Sequence, residues 1–127
     1  GVALEVRDMM DGWIKSGVEI SALRLGGGAT KSTLWNQIQA DIYGRPVEIL
    51  KTSESTVLGA AILGGVGGGV FKSITEGVDQ MVAISGQLEP NMANHKVYEE
   101  MYDAYCKAYE GLSSSGTFDK LAQIQSA

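Results

Sequence analysis

From Leu23 to Ser32 the chain reads Leu-Arg-Leu-Gly-Gly-Gly-Ala-Thr-Lys-Ser, a strand-like segment that meets three residues without side chains just before helix-forming sequence begins. Such a bend lets the backbone approach a neighbour closely, because no Cβ stands in the way. The first amides of the following helix lack partners inside it, and the helix dipole places positive character at the same end. A phosphate or a ribose suits that arrangement. The same bend also serves to pack a helix tightly on a strand, and geometry alone leaves both readings open.

Around the bend the sequence alternates. Val2, Val6, Met9 or Met10, and Trp13 recur at helical steps as one apolar stripe, without a Ser, Thr, Asp or Asn ahead of it as a cap. A helix that opens uncapped on Gly1 suggests a segment of a longer protein. Gly17 ends this helix, and Val18 to Leu25 reads as a strand. A second helix follows Ser32, with Leu34 or Trp35, Ile38 and Ile42 on one face, stopped by Gly44 and Pro46. Val47 to Leu50 reads as a second strand. Thr52, Ser53 and Glu54 open a third helix through Leu58 and Ile62, which dissolves into Gly64, Gly65 and Gly67 to Gly69. Strand, helix, strand, helix predicts an α/β fold with parallel strands and right-handed crossovers.

The last part is helical. Ser73 and Glu76 have capping-box spacing ahead of Val78 and Met81. Pro90 and Asn91 introduce a longer helix in which Tyr98, Tyr102, Tyr105 and Tyr109 share a face, read as docking on the domain with phenol tips at the rim. Cys106 in that helix reads as small buried filler, and His95 near its start as a solvated residue without a catalytic role. Ser113 to Gly116 reads as a hinge before a short terminal helix carrying Phe118, Leu121 and Ile124. The division expected is therefore 1–112 as the main unit and 113–127 as hinge and terminal helix.

Composition narrows the function classes. Glycine accounts for 17 of 127 residues, in clusters without collagen's period. Hydrophobic residues at 44% and charged residues at 20% fit a globular chain. A net charge of −5 with no basic stripe argues against nucleic acid and anionic membrane as partners. The single cysteine excludes an internal disulfide and a multi-cysteine zinc site, and suits a reducing, cytoplasmic setting. Val57 to Phe71, the longest uncharged apolar run, is too short and too rich in glycine to span a bilayer.

Two known phosphate loops fail against the bend. A P-loop needs glycine before its lysine, where this chain has Thr30 before Lys31. The dinucleotide fingerprint needs glycine where Lys31 stands. Glu48 lies about 20 residues on, the spacing of a ribose-binding acid, but inside a strand and not at its end.

Taken together, GGGATKSTLWNQIQADIYGRPVEI and the later SESTVLGAAILGGVGGG resemble the C-terminal half of the FGGY family of carbohydrate kinases, and among them the xylulose kinases. The resemblance runs from Gly1 to about Leu112. It implies a partial ribonuclease-H-like, actin-like C-terminal domain, hinged in the parent over a cleft that holds sugar and ATP. It also implies that Gly26, Gly27, Gly28 and Ala29 run past the nucleotide phosphates. Ser32, otherwise a helix N-cap, would help hold the nucleoside. Trp35, Ile38, Ile42, Gly59 and Ala60 would serve packing, the last two letting the third helix lie close to the loop. Lys31 reads as exposed and solvated, with reach to a phosphate as its alternative. In this family an aspartate base takes the proton of the sugar hydroxyl, with Mg2+ on the phosphates. None of Asp8, Asp11, Asp41, Asp79, Asp103 and Asp119 sits in a matching motif, so the base and the magnesium ligands are expected outside this chain.

The parent so implied transfers the γ-phosphoryl group of ATP to a hydroxyl of a ketose such as D-xylulose, and the chain alone is inactive. The alternatives are a non-catalytic adenine-nucleotide module and a structural piece whose glycine loop binds nothing. A domain without its leading strands exposes a sheet edge and apolar surface, so a homo-oligomer is expected.

Overall fold

The computed structural model describes residues 1–126; Ala127, the end of the expected terminal segment, lies outside the described residues. Ten short elements follow in order. They are α1 (Val2–Lys15), β1 (Arg24–Leu25), a 3-10 turn (Gly28–Lys31), α2 (Thr33–Tyr43), β2 (Val47–Leu50), α3 (Ser55–Gly67), α4 (Ile74–Met81), β3 (Ile84–Leu88), α5 (Met92–Ser114) and α6 (Thr117–Gln125). The sheet has the order β1-β2-β3. β1 lies parallel to β2, with Arg24 opposite Glu48 and Leu25 opposite Ile49, as the alternation predicts. β3 runs antiparallel on the other side of β2, with Val47 opposite Leu88 and an irregularity at Ile49/Leu50. The sheet is thus mixed.

The strand expected over Val18 to Leu25 shrinks to Arg24–Leu25. A strand needs a partner. Opposite its earlier residues the chain is the turn of Gly44, Arg45 and Pro46, and proline has no amide to offer a ladder. Pairing starts where the Glu48 amide reaches the Leu23 carbonyl at 2.8 Å. Glu48 answers Arg24 across the pair, its Oε2 accepting from the Arg24 Nε at 2.8 Å.

The core gathers Ala3, Leu4 and Met10 of α1, Ala40, Ile42 and Tyr43 of α2, and Val47 of β2. Fully burying a side chain of the Val47 kind contributes about 1.5–3 kcal/mol. Of the expected α1 stripe, Met10 is buried and Val6 packs against the core, while Val2, Met9 and Trp13 are exposed. Arg7 shares the packing face. Its Nη1 donates to the Ile42 carbonyl at 3.1 Å, pairs with Glu99, and its guanidinium lies 4.4 Å from the centre of the Tyr102 ring. A polar residue thus sits on the packing face and tethers α1 to both α2 and α5.

Helix α5 docks as expected. Tyr98, Tyr102 and Tyr105 pack against the core, Tyr102 donates to Asp8 at 2.9 Å, and Tyr109 meets Phe118 of α6 at 5.3 Å between ring centres. Burial first, then the bond to Asp8, raises the Tyr102 phenol above its ordinary value of 10.0. Cys106 is half-buried, at the edge of a groove and not in the core.

His95 is a structural residue and not a solvated one. Its Nδ1–H donates to the Asp41 carbonyl at 2.8 Å, and its ring covers Gly44, the helix-ending residue at φ 60. A Cβ at position 44 would lie 2.5 Å from the ring and would also face the left-handed backbone penalty. Gly44→Ala is expected to lower stability by about 2 kcal/mol or more, read as a loss of denaturation midpoint in urea. An unchanged midpoint would contradict the packing described.

Helices α3 and α4 form a separate small layer in which Ile62 and Phe71 press on Gly77. Ser73 caps α4 by accepting from the Glu76 amide at 3.1 Å, and Glu76 reaches back to the Lys72 amide. Among the described residues no helix is long and apolar enough to cross a membrane.

Candidate functional site

Because β1 and β2 are parallel, their carboxyl ends open on one edge of the sheet, where ligands of α/β proteins collect. β1 delivers the three glycines there, and each is bare for a different reason. Gly27 has φ 91, a conformation costly for any residue with a Cβ. At Gly26 a Cβ would meet Leu50 Cδ1 at 3.1 Å and Ser55 Cβ at 3.3 Å, so packing forbids a side chain. At Gly28 nothing lies within 4 Å of the Cβ position and φ is not positive. The interior of the chain gives no reason for position 28 to be empty.

The α-helix does not begin directly after the glycines. Gly28–Lys31 form a 3-10 turn first, and α2 starts at Thr33. Thr30 enforces this turn, since its amide and its Oγ1 both donate to the Gly27 carbonyl, at 3.1 and 2.8 Å. The Ser32 amide donates to the Ala29 carbonyl at 3.1 Å. Among the described residues the amides of Gly27, Gly28 and Ala29 have no acceptor within the chain. Three successive donors therefore stay free at a bend that is open on one side.

Ser32 is exposed and caps α2, its Oγ accepting from the Trp35 amide at 3.2 Å. A hydroxyl has one hydrogen to give, and the cap uses only a lone pair, so Ser32 still has a donor to offer. Lys31 is exposed. Trp35, Ile38 and Ile42 pack on or within the core, as expected. Gly59 and Ala60 do not bring α3 to the loop: both are exposed, and Gly59 has nothing within 4 Å of its Cβ position. The approach is made by Ser55, one helical turn earlier, because only the amino end of α3 borders the bend.

A residue with no role assigned from sequence joins the site. Asn36 is 3% exposed and its Nδ2 donates to the Thr30 carbonyl at 2.8 Å. With Ala40 and Tyr43 it lies on the buried face of α2. A polar residue at that helical spacing is the signal in the sequence that marks it.

A groove of about 620 Å3 lies beyond Ser55, walled by residues such as Thr52, Val57 and Met81, and takes no wall from Gly26 to Ala29. The glycine loop faces a free edge and not a pit. Among the described residues no three His, Cys, Asp or Glu side chains converge as metal ligands. Of the acids, Asp41 is buried and fully hydrogen-bonded, Asp8 accepts from Tyr102, and Asp103 pairs with Lys107 at 2.6 Å.

Residues 1–68 match the family model for the FGGY family of carbohydrate kinases, C-terminal domain. A glycerol kinase of Nitratidesulfovibrio vulgaris is 43% identical over 103 residues, covering 80% of this chain and 20% of the relative. A xylulose kinase of Staphylococcus epidermidis is 34% identical over 110 residues, covering 87% of this chain and 22% of the relative. The crystal structure of a ligand-bound xylulose kinase from Lactobacillus acidophilus superposes with a TM-score of 0.75 at 25% identity, covering 93% of this chain and 24% of that one. The chain thus spans about a fifth of the length of the curated relatives it matches, and its fold is that of part of their actin-like, ribonuclease-H-like kinase domain. The glycine bend, the capped helix behind it and these likenesses agree: the chain belongs to the FGGY family of carbohydrate kinases, as part of its C-terminal domain.

Proposed function

We propose that this chain is the nucleotide-holding part of an ATP-dependent sugar kinase, in which Gly26, Gly27, Gly28 and Ala29 run along the phosphates and Ser32 donates to the nucleoside. The observation that carries the reading is the run of three free amides at Gly27, Gly28 and Ala29 beside an unobstructed position 28. Backbone donors at a bend suit a polyphosphate, because they bring partial positive charge without a counter-charge to remove. The parent reaction is transfer of the γ-phosphoryl group of ATP to a hydroxyl of a ketose such as D-xylulose. Glycerol kinases and xylulose kinases are both among the relatives, and in this reading the acceptor is selected by residues beyond this chain. The aspartate base, any magnesium ligands beyond the phosphates themselves, and a cytoplasmic location belong to the same reading. So does the division into a nucleotide-holding unit over 1–112 and a terminal segment over 113–127. Calorimetric titration of ADP into the 127-residue chain should give saturable one-to-one binding with a dissociation constant below about 1 mM. Heat indistinguishable from dilution would refute the reading, as would sugar-dependent ADP release by this chain alone.

The exposed face of α3 supports a second proposal, that the isolated chain self-associates. Thirteen residues without a charge form this helix, and Val57 and Leu63 remain 64% and 60% exposed. Uncharged helices are ordinarily covered. In a solution of this chain alone, the available cover is a second copy. Sedimentation velocity should show a dimer or larger species that Val57→Lys with Leu63→Lys returns to monomer. A monomer at all concentrations would contradict it.

A further inference from the structure

We infer that Asn36 is a positioning residue for the glycine loop, fixing the direction of the Gly28 amide through a two-step chain of hydrogen bonds. The inference rests on the nucleotide reading above for its consequence, but its geometry stands independently. Asn36 is buried in the first turns of α2, and Nδ2 donates to the Thr30 carbonyl at 2.8 Å. A carbonyl only accepts, so the contact fixes which end of the side-chain amide faces the loop. Thr30, so held, gives both its amide and its hydroxyl to the Gly27 carbonyl. A trans peptide is planar, with its C=O and N–H pointing in opposite directions. Anchoring the Gly27 oxygen on Thr30 therefore fixes the direction of the Gly28 N–H, which points away from Thr30 and has no acceptor within the described residues.

The other end of Asn36 sharpens the case. Its Oδ1 is buried without a donor. An unpaired buried acceptor costs stability, which offsets what the bond to the Thr30 carbonyl contributes, so an apolar residue of similar size changes the stability of the fold little. What asparagine supplies, and leucine does not, is the hold on Thr30. Stability and loop order are thereby separable.

The test compares wild type with Asn36→Leu, Thr30→Val and Thr30→Ser in the full 127-residue chain, reading thermal unfolding, exchange of the Thr30 amide, and affinity for ADP. Asn36→Leu should leave the unfolding temperature within a few degrees of wild type, speed Thr30 amide exchange at least fivefold, and weaken ADP binding at least fivefold. Thr30→Val, which keeps the shape and loses the hydroxyl donor, should weaken ADP binding in the same direction. Thr30→Ser should behave as wild type. Should Asn36→Leu fail to fold, the two Thr30 variants decide alone. Unchanged exchange and affinity in Asn36→Leu, or faster exchange with unchanged affinity, would overturn the inference. If wild type binds no ADP, the nucleotide reading falls, and the exchange rates decide whether Asn36 orders the loop.

Discussion

Gly28→Val is expected to weaken nucleotide binding by at least about a hundredfold, about 2.8 kcal/mol, while leaving the stability of the chain within about 0.5 kcal/mol. The two halves of this result come from one fact. No atom lies within 4 Å of the Cβ position, so an added side chain meets nothing inside the protein, and φ there is not positive. The side chain would instead stand on the open surface of the bend that carries the free amides of Gly27, Gly28 and Ala29. The neighbouring glycines are poorer probes. Gly26→Val pushes on Leu50 and Ser55, and Gly27→Val strains a backbone at φ 91, so both disturb the fold first. Calorimetry with ADP beside thermal denaturation checks the prediction. Equal affinity in Gly28→Val and wild type would move the ligand away from this loop.

The largest loss of stability is expected at Asp41. This carboxylate is 2% exposed. Its Oδ1 accepts from Gln37 Nε2 and from the Asn91 amide, both at 2.7 Å, and its Oδ2 accepts from Asn94 Nδ2 at 2.8 Å. It therefore ties the end of α2 to the first turn of α5. Asp41→Ala takes the acceptor from the Asn91 amide and from Asn94 Nδ2, while Gln37 Nε2 keeps the Glu89 carbonyl at 2.9 Å, and should cost about 3 kcal/mol in urea denaturation. A loss under about 1 kcal/mol would contradict the tie.

The same group sets an acid limit. Burial pushes the Asp41 carboxyl up, but the donors from Asn94, Asn91 and Gln37 outweigh it and hold the group below its ordinary 3.8. Glu99, bonded by Arg7, is held below its ordinary 4.5. A carboxylate whose folded pKa is depressed stabilises the fold fully above its unfolded value, and that contribution disappears as pH falls through the folded one. Stability should be level in these terms near neutral pH and fall below about pH 4. Asp41→Asn, less stable at pH 7, should show a shallower acid slope. Parallel slopes for variant and wild type would contradict the assignment.

Local chemistry was legible in the sequence wherever a residue acts on its own neighbours. The Ser32 cap of α2, the Ser73 cap of α4 and the Asn91 start of α5 follow from side chains bonding amides within a turn, and the Gly44 stop of α2 from the left-handed backbone that glycine adopts freely. What escaped depends on partners distant in the chain. The stripe of α1 is legible only in part, at Val6 and Met10, because Arg7, polar by composition, lies on its packing face between Ile42 and Tyr102. β3 reads as Ile-Ser-Gly-Gln-Leu, a sequence with little strand propensity, and exists because β2 has a free edge beside it. His95 and Asp41 acquire their roles only when α5 folds back on α2. The site divides in the same way. The glycine bend is visible in composition, whereas its shape comes from Thr30 and Asn36, whose bonds to the loop need the turn to exist first.

The most direct measurement follows the backbone amide resonances of the isotope-labelled chain during titration with ADP. Nucleotide phosphates held by this loop should move the Gly27, Gly28 and Ala29 amides first and furthest, saturating together with the calorimetric curve. Saturable binding that leaves those three resonances in place and shifts others would contradict the phosphate-holding role of the bend.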